Sequence, residues 1–276
     1  MANSLQILLR RRFARHLLSS GMTITSYAQR TALIEGGKRL ASVLEKLRYM
    51  VASGVMTNAL DDEAERLIRD YGDEPAFLGY APEGALRPYP ATLCVSVNDE
   101  VVHGIPNETP KALKEGDIVS LDLGLVHEGI VVDAAITVPV GRVDSETEKL
   151  LQATRHALSE GIAAAVPGGC LGDISHAVQQ AIECAGFTVV RALGGHAVGE
   201  RVHEEPFIPN YGRAGTGLRL SVGMVLALEP IATAGKSAIK LMPDGYTYRT
   251  KDGSRAAHFE HTVLIESGGP HVVTAP

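Results

Sequence analysis

Apolar residues recur at helical spacing from Tyr27 to Ala52, at Leu33, Leu40, Val43, Leu44, Leu47 and Val51, and predict a helix closed by Gly54. Leu60, Ala64, Leu67 and Ile68 predict a second, shorter helix over Asn58 to Arg69. Gly79 to Pro90, with its prolines and glycines, reads as a loop. Short strands are expected at Leu93 to Val97 and Glu100 to Val102. Two long strands, Ile118 to Val126 and Gly129 to Val140, are expected to meet in a turn near His127-Glu128-Gly129. Ser145-Glu146-Thr147-Glu148 fits a capping box with Ser145 at the N-cap of a helix running toward Ala165. Asp173 to Ala185 forms another helical pattern. Strands follow at Phe187 to Val190, Met224 to Ile231, Ala238 to Met242, Tyr246 to Thr250 and Ala257 to Ile265. Helix pairs set between runs of strands predict an α+β fold, with helices covering one face of an antiparallel sheet.

At 276 residues and 45% apolar, the chain is long enough to bury a large core without disulfides. A net charge of −6 and no basic stripe in the body argue against nucleic-acid binding through phosphate neutralisation. No apolar run is long enough to span a bilayer. Cys94, Cys170 and Cys184 form no CxxC pair, as expected of a cytoplasmic protein. The beginning of the chain differs from the rest, because it carries Arg10, Arg11, Arg12 and Arg15 and no acidic residue up to Gly21. Residues 1–26 are therefore read as a basic N-terminal extension, disordered or not native, with a targeting leader as the other reading. Residues 27–276 are read as one compact domain.

Carboxylates interrupt strands whose neighbours call for burial: Asp122 in Leu121-Asp122-Leu123, Asp133 in Val132-Asp133-Ala134, Glu229 after Ala227-Leu228, and Glu260 in Phe259-Glu260-His261. A buried carboxylate needs a proton, a cation or a metal ion. Opposed residues in an antiparallel hairpin keep a constant index sum. Pairing Asp122 with Asp133 centres the turn between His127 and Glu128, where the turn signal lies, and sets the two Cβ atoms about 4.5–5.5 Å apart. A divalent cation between them would relieve both burial and repulsion. The strands offer no Arg or Lys as a partner; a shared proton is the structural alternative. His196 and His203 stand in the Gly-rich segment Gly194 to Pro206, and their spacing leaves open which would bind a metal. His103, in Val101-Val102-His103-Gly104-Ile105-Pro106, is another candidate. Four carboxylates and an imidazole suit Mn, Fe(II), Co or catalytic Zn, and are more anionic ligands than one ion needs.

Taken together and in order, these motifs resemble the methionine aminopeptidases, most closely the bacterial-type (type I) enzymes of the pita-bread metallopeptidase family. The resemblance runs from Thr31 to Val273 and rests on Val101 to Pro106, Asp122 with Asp133, Gly195-His196, His203-Glu204-Glu205-Pro206, Gly223 to Pro230 and Phe259 to Val263. It implies two pseudo-symmetric αβ halves with the site between them. It also implies two divalent ions held by Asp122, Asp133, His196, Glu229 and Glu260. Asp133 and Glu260 would bridge both ions and Asp122 would chelate one. His103 and His203 would contact substrate, His203 facing the developing oxyanion, and Glu229 would shuttle a proton. The implied reaction is removal of the initiator methionine from nascent polypeptides with a small second residue, with a metal-bridged water as nucleophile. The implied partners are polypeptide N-termini, at the ribosome, with no nucleic acid and no membrane; a monomer is expected.

Phe77, Tyr80, Tyr89, Cys94 and Tyr246 are the implied pocket residues. Phe77 stands where the family usually has Cys before Leu-Gly-Tyr, and Tyr89 follows Tyr80 at a longer interval than usual, which lengthens the loop over Ala81 to Pro88. Val202 replaces the usual aromatic before His-Glu-Glu-Pro, Tyr246 a frequent Trp, Ala197 a usual Gly, and Ala134-Ala135 a common Thr-Ser or Thr-Ala. The short interval from His203 to Glu229 disfavours the eukaryotic-type (type II) enzymes. The competing readings are an Xaa-Pro aminopeptidase or prolidase of the same fold, and a silent relative that binds protein partners. The first usually carries an added N-terminal domain for which this chain has no room; the second would have lost ligands that this chain keeps.

Overall fold

A computed structural model describes residues 21–82 and 84–275. The arginine-rich stretch of the expected extension lies outside the described residues. Residues 21–26, assigned to that extension above, lie on the folded body: Gly21 N–H donates to the Glu205 carbonyl (2.6 Å), and Thr23 bridges to Met224.

Helix α1 (Tyr27–Met50) starts where Ser26 and Gln29 form a reciprocal capping box. Helix α2 (Thr57–Asp70) follows after a turn. Helix α3 (Ser145–Ala164) is capped by Asp144, not by Ser145 as the sequence predicts; the Asp144 carboxylate accepts the Thr147 N–H at 2.8 Å. Asp and Ser are near-equal caps, and Asp144 also pairs with Arg255 at 2.8 Å, which holds it in place. Helix α4 is Leu171–Cys184.

The strands are β1 (Glu74–Pro75), β2 (Leu93–Val97), β3 (Glu100–Val102), β4 (Ile118–His127), β5 (Ile130–Pro139), β6 (Thr188–Val189), β7 (Gly194–Ala197) and β8 (Glu204–Pro209). They continue with β9 (Val225–Leu228), β10 (Ile231–Thr233), β11 (Ile239–Leu241), β12 (Tyr248–Thr250), β13 (Ala256–His258), β14 (Glu260–Glu266) and β15 (Gly269–Val272). Among the described residues, the main sheet is antiparallel in the order β1-β4-β5-β14-β9-β7-β8, with β2 also on β4 and β15 also on β14. Two small sheets, β13-β10-β6 and β11-β12-β3, flank it.

The β4–β5 register differs by two residues from the expected one. Asp122 faces Ala135 and Asp133 faces Gly124, so the two aspartates are diagonal neighbours on one face rather than directly opposed. The turn residues explain the shift. Glu128 (φ 49°) and Gly129 (φ 79°) both take positive φ, as a two-residue type I′ turn requires, and His127 then pairs with Ile130.

Two expected strands are each split in the structure. Met224 to Ile231 divides at Glu229-Pro230, and Ala257 to Ile265 divides at Phe259. β9 pairs with β14 in the main sheet, whereas β10 pairs with β13 in a small one, so both chains change sheet at the same level. Pro230 lacks the N–H that would continue the ladder. The Gly-rich segment from Gly194, for which no strand is expected, carries β7 and the start of β8.

The apolar face of α1 and α2 packs with Leu121, Leu123, Leu125 and Val132 into one core. The residues of α3 and α4 pack with Leu226, Leu228, Val263 and Ile265 into another. Side chains alternate across a strand. Because Leu121 and Leu123 face the helices, Asp122 points away from them, and Asp133 likewise points opposite to Val132. No helix among the described residues is long and apolar enough to cross a membrane.

Candidate metal centre and substrate pocket

The helix-free face of the main sheet carries the site. Asp122 comes from β4, Asp133 from β5, His196 from β7 and Glu260 from the start of β14, and Glu229 stands at the break after β9. Together with His103, His203, Phe77, Tyr80, Tyr89, Cys94 and Tyr246 they line one open pocket, so every side chain singled out in the sequence converges on it. Pro82 and Val202 complete the lining.

At the floor, single donor atoms of Asp133, His196 and Glu260 lie within 4.8 Å of one another, an arrangement able to hold a cation. His196 Nε2 is 3.6 Å from Glu229 Oε1. Buried Asp122 Oδ1, Asp133 Oδ1 and Glu260 Oε1 have no hydrogen-bond partner. Acceptor oxygens held dry, converging and unpaired are what hard divalent ions take as ligands. The metal set expected from the sequence therefore fits a divalent centre.

Burial controls the protonation of this floor. It pushes the Asp122 carboxyl up to about 7, and it does the same to Glu229. Asp133 and Glu260 are raised well above the ordinary carboxylate range, first by burial and then by neighbouring carboxylates. Without a cation these groups hold protons. The histidines respond oppositely: burial lowers His103 to about 4 and holds His203 well below its ordinary value, so both are neutral at pH 7.

Each non-ligand histidine is held by its surroundings. His203 Nδ1 lies 2.9 Å from the Tyr80 hydroxyl, and its ring packs edge-on to His196 with centroids 4.4 Å apart. His103 adopts φ 57°, a left-handed conformation uncommon outside glycine and frequent at functional sites. Its carbonyl accepts from the Thr247 hydroxyl (3.3 Å).

The apolar wall is built on a buried acid the sequence reading missed. Asp61 of α2 accepts the N–H groups of Thr92 and Leu93, both at 2.9 Å, and so fixes the segment carrying Tyr89 and Cys94. Its only sequence signal is an Asp one residue from the apolar stripe. Tyr89 donates its hydroxyl to the Gly104 carbonyl at 2.9 Å, and its ring meets Tyr246 edge-on with centroids 5.1 Å apart. Tyr246 in turn donates to the Arg87 carbonyl, and Arg87 pairs with Glu108. The longer loop is thereby tied to the pocket wall at its far end. Burial raises the Cys94 thiol well above its ordinary value, which makes it a packing group and not a nucleophile.

His258 was also missed. It is 2% exposed, ends β13 and stands two residues before Glu260. The signal was a histidine within the expected strand Ala257 to Ile265, two residues before Glu260.

A model of metallopeptidase family M24 matches residues 32–267. The methionine aminopeptidase of Aquifex aeolicus is 43% identical over 259 residues, which are 92% of this chain and 99% of that protein. The crystal structure of methionine aminopeptidase from Thermotoga maritima superposes with a TM-score of 0.88 at 40% identity, covering 92% of this chain and all of that one. The prolidase from Pyrococcus furiosus aligns with a TM-score of 0.70 at 19% identity over 92% of this chain and 66% of its own. That likeness shows a shared pita-bread fold and no more.

Proposed function

The chain belongs to metallopeptidase family M24, and we infer that it is a methionine aminopeptidase that removes initiator methionine from new polypeptides through a two-ion centre. The observation that supports this most is the convergence of three buried carboxylates with unpaired oxygens, partly buried Glu229 and His196 beneath an apolar pocket. Prolidase-like action is disfavoured, since the prolidase likeness is confined to the fold and the methionine aminopeptidase likeness spans nearly the whole chain.

Asp122, Asp133, His196, Glu229 and Glu260 would hold the ions. Bound there, divalent ions supply a nucleophilic water at neutral pH and polarise the scissile carbonyl. The chain's own groups do the rest. Phe77, Tyr89, Cys94, Val202 and Tyr246 offer an unbranched thioether side chain a mostly apolar slot. Glu229, near 7 before metal arrives, is poised to accept a proton from the attacking water and pass it to the departing amine. His203 is neutral and its Nδ1 faces Tyr80, so a proton on Nε2 would point into the pocket and donate to the developing oxyanion. Neutral His103, at the opposite edge of the floor, would hydrogen-bond near the scissile amide.

Metal analysis beside kinetics tests these roles. Asp122→Asn and Glu260→Gln should lower bound metal and abolish turnover. Full metal content in both variants would overturn the ligand assignment.

A further inference from the structure

His258 stands beside the metal floor, against Glu229 and Glu260, with no hydrogen bond to its ring. Both ring nitrogens are buried and make no hydrogen bond. Its Nε2 lies 3.4 Å from Glu229 Oε2 and 3.5 Å from Glu260 Oε2, beyond the usual 2.7–3.2 Å of an N–H···O bond. Two ligand atoms bound to one ion at about 2.0–2.2 Å, and 90–109° apart at the ion, are separated by about 2.8–3.6 Å. Both His258 contacts fall in that range. So does the 3.6 Å between His196 Nε2 and Glu229 Oε1, two residues already expected to be ligands.

The two imidazoles flank Glu229 from opposite sides. His196 faces Oε1 and His258 faces Oε2. His196 also joins the Asp133–Glu260 cluster. The His258 backbone is fixed independently of any ion. Its N–H donates to Thr137 Oγ1 at 2.9 Å, and its carbonyl accepts from the same hydroxyl at 2.7 Å. The imidazole is thus preorganised by β5 and β13 and directed at two carboxylates already assigned as ligands.

We propose that His258 is a sixth protein ligand, its Nε2 binding the ion on the side of Glu229 away from His196, so that each ion takes one imidazole. This rests on the two-ion reading given above. It makes the ion on that side harder to lose than carboxylates alone would, since an imidazole adds a nitrogen donor that transition metals prefer over Mg or Ca.

The test uses the full chain, stripped by chelator and titrated with Co(II). Calorimetry should show two sites in the wild type. In His258→Gln one site should weaken by more than the ~10–100-fold typical of losing an outer partner, while the other stays within a few-fold. X-ray absorption at the cobalt edge of the doubly loaded wild type should show one imidazole per cobalt, a reading that needs no variant to fold. Half an imidazole per cobalt, with two ions bound, would overturn the assignment and leave the two-ion centre standing. A wild type that binds no Co(II) would instead defeat the two-ion reading itself.

Discussion

His196 and His203 pack as a T-shaped pair, yet their surroundings differ. His196 joins Asp133 and Glu260 in a cation-sized cluster, whereas His203 is turned by the Tyr80 hydroxyl at 2.9 Å. His203→Ala should therefore retain metal near the wild-type content while kcat/KM falls by roughly 10²–10³, the usual cost of one oxyanion donor. His196→Ala should lose metal, and added metal should restore part of its activity. Equal metal loss in the two variants would show the roles to be misassigned. Tyr80→Phe removes only the hydroxyl that orients His203. It should lower kcat with little change in KM, because the lost alignment matters most in the transition state.

At the level of elements, the site depends on backbones that approach closely or change course. A Cβ placed on Gly195 would lie 2.2 Å from the Ala227 carbonyl oxygen, so β7 and β9 pack together only with glycine there. Gly195→Ala should cost about 1–3 kcal/mol of stability by overpacking, measured by denaturant unfolding. It should also weaken metal binding, although residue 195 supplies no ligand atom, because it shifts His196 next to it. The sequence made much of this readable. Alternation around Asp122 and Asp133 placed both on one face, and Gly and Pro marked the loops. Two things escaped it. The hairpin register turned on Glu128 accepting positive φ, which its side chain does not advertise. The sheet switch at Glu229-Pro230 and Phe259 turned on long-range pairing: β10 leaves β9's sheet to meet β13. Both breaks lie beside proposed ligands, and the second sets His258 against Glu229 and Glu260. Asp61 was illegible for a similar reason, since its partners Thr92 and Leu93 lie about thirty residues further along the chain.

For the whole molecule, metal content and protonation are linked. Asp122 and Glu229 rise from ordinary values of 3.8 and 4.5 to about 7 in the metal-free fold. A carboxyl raised on folding stabilises fully below its unfolded value and loses that contribution as pH climbs through the folded one. His103, lowered from 6.5 to about 4, works the other way and loses its contribution as pH falls through that window. The two effects oppose each other below pH 6.5, and only the carboxyl effect remains above it. Metal-free protein should therefore show a falling Tm from pH 6.5 to 8. The rise in Tm on adding Mn(II) or Co(II) should be larger at pH 8, since binding must displace protons. Chelation should leave the far-ultraviolet circular dichroism largely intact, because two apolar cores bury the helices against the main sheet without any ion. Complete unfolding on chelation would contradict that. The most direct test of the account follows release of the first residue from Met-Ala-Ser, Leu-Ala-Ser and an Xaa-Pro peptide by chelated and metal-restored protein. The account predicts methionine release that vanishes on chelation and returns with metal, with little release from the other two. Equal rates on Met and Leu, preference for Xaa-Pro, or full activity without metal would contradict it.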